Sequence, residues 1–252
     1  MPIRRLVVLC LLVLTLVPVA EGQRRRRAVR SGPVAVAPPP GQCHTFGLVK
    51  PGLKATYLAN AQGGDANFTI TWISDAPTET RTTQTVTTAQ GTAEAETIVT
   101  GEIVGNLRAI KHVFVRTVST VPVIGRFTVD VDIDFVPSLA AGPAAGWCVG
   151  NTWQTAPSIQ TIMTRPSIGP PTTITNNLIG SEGIVLAVDD LVTVPAGTFR
   201  TVKYRGAVVS GQNVSTAITW VSMEHNIVVR QDTVDAGGSV TSVTQLTALQ
   251  GG

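Results

Sequence analysis

From about residue 43 onward, apolar and polar positions alternate with a period of two, the pattern of strands with one buried face. The clearest run is 126–136. There Phe127, Val129, Val131, Ile133 and Phe135 point one way, and Thr128, Asp130, Asp132 and Asp134 point the other. A half-buried antiparallel strand has this form. Similar runs predict strands at 66–74, 108–118, 184–194, 199–209, 214–222, 226–234 and 239–248. Turns between them fall at Gly63-Gly64, Gly125, Gly197, Gly211-Gln212-Asn213 and Gly237-Gly238. The stretch 92–100, TAEAETIVT, is the one place with a short helical pattern. The 137–183 region carries Pro137, Pro143, Pro157, Pro166, Pro170 and Pro171 and is expected to be rich in loops. About ten strands with almost no helix make an all-β chain. Its expected form is an antiparallel meander closing into a barrel or a strongly curved sheet.

A weak internal repeat runs at an offset of 148. Ile70-Thr71-Trp72 and Ser74 match Ile218-Thr219-Trp220 and Ser222, and Thr85-Val86 matches Thr233-Val234. Tyr57 and Tyr204 precede the two tryptophans at similar distances. Two similar halves, 42–141 and 142–252, would account for the matches within a single β-rich domain, 42–252.

Composition strengthens the β assignment. The chain holds 34 Thr and 35 Val among 252 residues, both β-branched and suited to a pleated sheet. With 43% hydrophobic and 14% charged residues it is not a disordered polyelectrolyte, and three Cys are too few for a disulfide mini-protein.

The N-terminus has the form of a secretory leader. Arg4 and Arg5 precede an apolar run, Leu6 to Val17, too short to span a hydrocarbon core of about 30 Å comfortably. Small residues place cleavage after Gly22, with Ala20 as the next choice, so 1–22 is the signal peptide and Cys10 leaves with it. Arg24 to Arg27 and Arg30 put more positive charge after the run than before it, which opposes translocation and leaves retention as an anchor open. Residues 23–41 form a basic, then Pro-rich linker, ending in SGPVAVAPPPG. The formal charge of +3 comes from this tail. From residue 31 onward, 12 basic residues face 15 acidic ones, so the folded part is acidic and no nucleic-acid partner is implied. The Arg tract itself suits transient contact with an anionic membrane surface.

Two cysteines remain after cleavage, Cys43 and Cys148, and in an oxidising compartment they are expected to pair. A zinc site with His44 is the rival, but no CxxC or HxxxH spacing is present. Asp130, Asp132 and Asp134 line one strand face. They are expected to be solvated, mutually repelling and metal-free, because a Ca²⁺ loop needs a glycine turn. His44, His112 and His225, the last beside Glu224, show no partner by spacing. G-x-S-x-G and HExxH are absent, so no catalytic, cofactor or metal residue is assigned. Asn67-Phe68-Thr69 and Asn213-Val214-Ser215 are glycosylation sequons of the kind expected by chance in a chain rich in Thr and Ser. Trp72, Trp147, Trp153 and Trp220, with the phenylalanines, are expected in the core or at the mouth of an apolar cavity.

The segment Val194-Pro195-Ala196-Gly197-Thr198-Phe199, followed by Trp220 and Val228-Val229-Arg230, resembles a family of bacterial envelope proteins of unknown function, described in some members as TapB-like. Gly150-Asn151-Thr152-Trp153 is similar to an earlier segment of that family. The resemblance implies an exported β-rich fold and no catalytic residues. Between Trp220 and Ile227 the family's Pro and Gly turn is replaced by Ser222-Met223-Glu224-His225-Asn226, where Asn226 can take the positive φ. On physical grounds Pro195 ends a strand, Gly197 supplies the turn and Phe199 re-enters the core.

The sequence therefore points to a non-enzymatic exported envelope protein, periplasmic or extracellular. It would bind an apolar or amphipathic ligand or act as a scaffold. A secreted adhesion module, suggested by the Thr-rich stretch 78–100, and a hydrolase are the alternatives.

Overall fold

The computed structural model describes residues 42–251 apart from 62–63, 89–90, 122–124 and 212. The leader, Cys10, the Arg tract and the Pro-rich linker lie outside the described residues.

Fifteen strands and no helix occur among the described residues. In chain order the first seven are β1 (Cys43–His44), β2 (Lys54–Ala61), β3 (Gly64–Asp75), β4 (Glu79–Thr88), β5 (Gly91–Val104), β6 (Leu107–Val121) and β7 (Gly125–Pro143). After them come β8 (Trp147–Cys148), β9 (Thr152–Gln154), β10 (Ser158–Pro166), β11 (Thr172–Val194), β12 (Gly197–Ser210), β13 (Asn213–Ser222), β14 (Val228–Val234) and β15 (Val240–Gln250). Thirteen of them form one antiparallel sheet in the order β10-β7-β6-β5-β4-β3-β2-β15-β14-β13-β12-β11-β9. Because β10 also pairs with β11, the hydrogen bonds run round in a ring. The sheet is an all-β meander, strongly curved. β1 and β8 make a separate two-stranded sheet.

Alternation decides which face is inside. Val129, Val131, Ile133 and Phe135 on β7 are buried, and Val113 and Val115 on β6 lie beside them. With Ala95, Leu139 and Ile179 they form one core cluster. A second joins Tyr57, Phe68, Val86 and Leu246 to Val229 and Ile227. The third gathers Trp153, Val185, Val188 and Val202.

Two expectations are corrected. Residues 92–100 are strand, within β5. Ala93, Ala95 and Thr97 are buried while Thr92 and Glu94 are exposed, so the run alternates with a period of two. Ala and Glu favour helix locally, but neighbours on both sides impose the pleat. The 137–183 region is mostly strand as well. Its prolines sit where no ladder bond is required. Pro137 faces a break in the β6–β7 register between Ile110 and His112, Pro143 and Pro166 end strands, and Pro157, Pro170 and Pro171 lie between strands.

The two tryptophan strands share a register. Trp72 pairs with Thr82 and Thr71 with Thr83, while Trp220 pairs with Arg230 and Thr219 with Gln231. In each, the next step along the ladder is irregular. The tyrosines are not equivalent, since Tyr57 stands opposite Phe68 and Tyr204 opposite Thr219.

Candidate functional site

One end of the ring has a seam. β10 bridges β7 and β11 only as far as Ser158, which lies opposite Ile179, while β7 runs on to Pro143 and β11 to Val194. The chain between Pro143 and Ser158 turns back into that gap. β9 pairs there with Glu182, Gly183 and Ile184 of β11, and Ser181 Oγ donates to the Ala140 carbonyl across the gap at 2.5 Å.

Two indoles fill the space. A Cβ at Gly142 would meet the Trp147 ring at 2.7 Å, and one at Gly183 would meet the Trp153 ring at 2.1 Å. Glycine at both positions is what admits them. Trp147, Trp153 and Tyr204 pack ring to ring with centroids 5.2–5.7 Å apart. Burial pushes the Tyr204 phenol above its ordinary range, offset in part by its hydrogen bond with Thr219.

Cys43 and Cys148 are bridged and stand opposite each other in the β1–β8 pair. Beyond the bridge, residues 42–53 cross the same end of the ring. His44 packs on Phe46 and Phe46 on Trp147, with centroids 4.8 and 5.4 Å apart. Asn226 Nδ2 donates to the Gly47 carbonyl at 2.7 Å, and the Val49 amide donates to Asp75 Oδ2 at 2.7 Å. Val49 and Leu53 then enter the core. Asn226 has φ 53°, the positive value expected of it.

The three aspartates, expected as a solvated and mutually repelling row, lie on the outer face as a ladder paired across strands. Arg116 Nε and Nη2 each donate to Asp130 at 2.8 Å. Arg165 bonds Asp132, and His112 Nδ1 lies 2.8 Å from Asp134 Oδ1 with Nε2 3.7 Å from Asp132. The hydrogen bond from Arg116 holds the Asp130 carboxyl below its usual range. His112 therefore has partners that spacing did not reveal, because they are cross-strand neighbours. His225 lies in the β13–β14 turn, 3.8 Å from Glu224, and His44 Nε2 is buried without a hydrogen bond. The three histidines do not converge. Among the described residues no group of three His, Cys, Asp or Glu side chains is placed to hold a metal ion.

The hairpin of β11 and β12 turns at Pro195-Ala196, with Val194 paired to Gly197 at φ 133° and Phe199 packed against the core. Two register irregularities and Asp189 at φ 68° bend it. Its tip reaches β15, where the Ala196 amide donates to the Leu246 carbonyl at 3.3 Å. Trp220 Nε1 donates to Asp190 at 3.1 Å, and its ring lies between Lys203 and Arg230, 4.8 and 5.3 Å from the centroid. A groove of about 310 Å³ runs along β9, β11 and β12, with Thr152, Gln154, Glu182 and Arg205 beside the apolar Ile184 and Ala207.

No family model and no curated protein matches the chain, so the family named from Val194–Phe199 rests on those short segments alone. Two solved structures align with it. One is a putative lipoprotein from Parabacteroides distasonis, 13% identical, covering 83% of this chain and 100% of that one at a TM-score of 0.35. The other is a putative exported protein with a YmcC-like fold from Bacteroides fragilis, 10% identical, with the same coverage and a TM-score of 0.34. At such scores the likeness carries no argument about this chain.

Proposed function

We propose that this chain is a non-catalytic envelope protein working outside the cytoplasm, with the ring of strands as a rigid scaffold. The observation that carries this reading is the disulfide between Cys43 and Cys148, which spans 105 residues. Such bonds persist in oxidising compartments. The leader-like 1–22 and the linker 23–41 support export from the sequence side. Against catalysis stand three separated histidines and a charged ladder whose members engage one another. The Arg24–Arg30 tract adds contact with an anionic surface, while the acidic body opposes it. An adhesive module would be favoured by a flat two-sheet sandwich, and the ring departs from that form.

A second reading, an amphipathic ligand, is favoured by the groove, where Ile184 and Ala207 adjoin Arg205 and Glu182. Native mass spectrometry of protein purified from its own host tests it. A co-purifying amphiphile that Arg205→Glu removes is expected, and a bare chain in both preparations overturns it.

Fractionation after expression with the full leader tests the main reading. The expected product starts near Gln23, lies outside the cytoplasm and has no free thiol. A cytoplasmic chain starting at Met1 with free Cys43 and Cys148 overturns it.

A further inference from the structure

We propose that residues 42–48 are a redox-operated strap, which covers the aromatic seam when Cys43 and Cys148 are bridged and releases it when they are reduced. The strap is held very differently at its two ends. Val49 and Leu53 are buried in the core, and the Gly52 amide bonds the Trp72 carbonyl at 2.8 Å, so the C-terminal end belongs to the ring. The other end is outside the ring sheet. β1 and β8 are two residues each and pair only with each other, and the Val149 amide to Gln42 carbonyl bond adds one contact. Thr45, Gly47 and Leu48 are exposed. Between the ends there are the edge-to-face contacts of His44 with Phe46 and of Phe46 with Trp147, the packing of Phe46 against the Trp153 cluster, and the bond from Asn226. Among the described residues, the covalent bond is thus the one fixed tie at an end otherwise held by a two-residue ladder, two rings and two hydrogen bonds.

What lies beneath is apolar and specific. Phe46 sits on Trp147, which in turn meets Trp153 and Tyr204 in the gap between β7 and β11. Lifting the strap uncovers the Trp147 face without breaking a ladder bond of the ring. The separation matters physically, because a segment with few ladder bonds opens locally at far lower cost than the sheet.

The chemistry balances with a dithiol as reductant. Its thiolate attacks Cys43 Sγ, since Cys43 is exposed and Cys148 half-buried, and Cys148 leaves as thiolate. The second thiol then displaces Cys43 from the mixed disulfide. Two electrons pass to the protein, Cys43 and Cys148 end as thiols with one proton each, and the dithiol ends as a disulfide.

The test uses the mature full chain, with hydrogen exchange measured before and after treatment with dithiothreitol and again after reoxidation. Reduction is expected to speed exchange at 42–48 and at 147–149, the residues facing the strap, by about tenfold or more while β2 to β7 stay protected, with full reversal on reoxidation. Cys43→Ser should show the same local pattern without any reductant, and an apolar dye should bind it more than wild type. Unchanged exchange at 42–48 on reduction would show that packing alone holds the strap. Loss of protection through β2 to β7 would show a global staple instead. Either result overturns the proposal.

Discussion

A Cβ on Gly183 would stand 2.1 Å from Cζ2 of Trp153, so the indole occupies the space that any other residue at 183 would fill. The pairing of those two residues in the β9–β11 ladder brings them face to face. Gly183→Ala should therefore cost about 1–3 kcal/mol through overpacking. Gly180→Ala, three residues away with nothing within 4 Å of the added carbon, should stay within about 0.5 kcal/mol. Urea midpoints of the two variants check this, and equal midpoints would mean that Trp153 moves aside freely.

Gly197 turns the β11–β12 hairpin at φ 133°, a value that β-branched residues rarely adopt. Gly197→Val is expected to destabilise by about 1–3 kcal/mol. His225→Ala, at a turn where the ring only approaches Glu224, should change stability by no more than about 0.5 kcal/mol. Chemical denaturation of both would expose an error if the histidine variant lost as much as the glycine one.

The Arg116–Asp130 pair gives a signed pH dependence. Its hydrogen bond holds the Asp130 carboxyl below its ordinary value of 3.8. A carboxylate depressed on folding contributes stability that is complete above the unfolded value and fades as pH falls through the folded one. Wild type should thus lose stability faster than Asp130→Asn below about pH 4. Arg116 is half exposed and Asp130 partly so, so water screens the pair and the difference is small and should shrink in high salt. Parallel curves for the two proteins across that window would remove the pair from the account.

Replacing Asp130, Asp132 and Asp134 together by Asn should lower the melting temperature by about 2–6 °C, because Arg116, Arg165 and His112 lose their partners. From the aspartates alone, relief of like-charge repulsion would have been expected to leave stability unchanged or raise it. EDTA should not shift wild type. A fall of about 10 °C with chelator, reversed by Ca²⁺, would place a metal on that face.

Much of the ring was legible because alternation at 127–135 fixes its own buried face, and the bridge followed from a count of two cysteines. The failures share a cause. Ala93, Glu94, Ala95 and Glu96 carry helix-forming side chains, and only the neighbours β4 and β6 turn their period of two into a strand. Prolines at 137–183 argue for loops until the register shows each one at a break, at a strand end or in the short links between strands. His112 meets Asp134 because the hairpin at Val121 and Gly125 sets the ladder, and no spacing along one strand contains that information. The strap was hidden for a similar reason, since the bond from Asn226 to Gly47, and that from the adjoining Val49 to Asp75, join distant parts of the chain.

The pairing of β15 with β2, with Leu246 opposite Tyr57, joins the last strand of the ring to the first. A chain threaded unfolded through a membrane, N-terminus leading, would deliver β2 long before its neighbour. Until residues 240–250 emerge, β2 and β14 would each present a bare edge to other strands, the condition under which chains pair wrongly or aggregate. The last eleven residues of the sheet therefore set the earliest moment of closure. Such a chain needs its waiting edge shielded by a chaperone, or must arrive quickly enough to outrun misassembly.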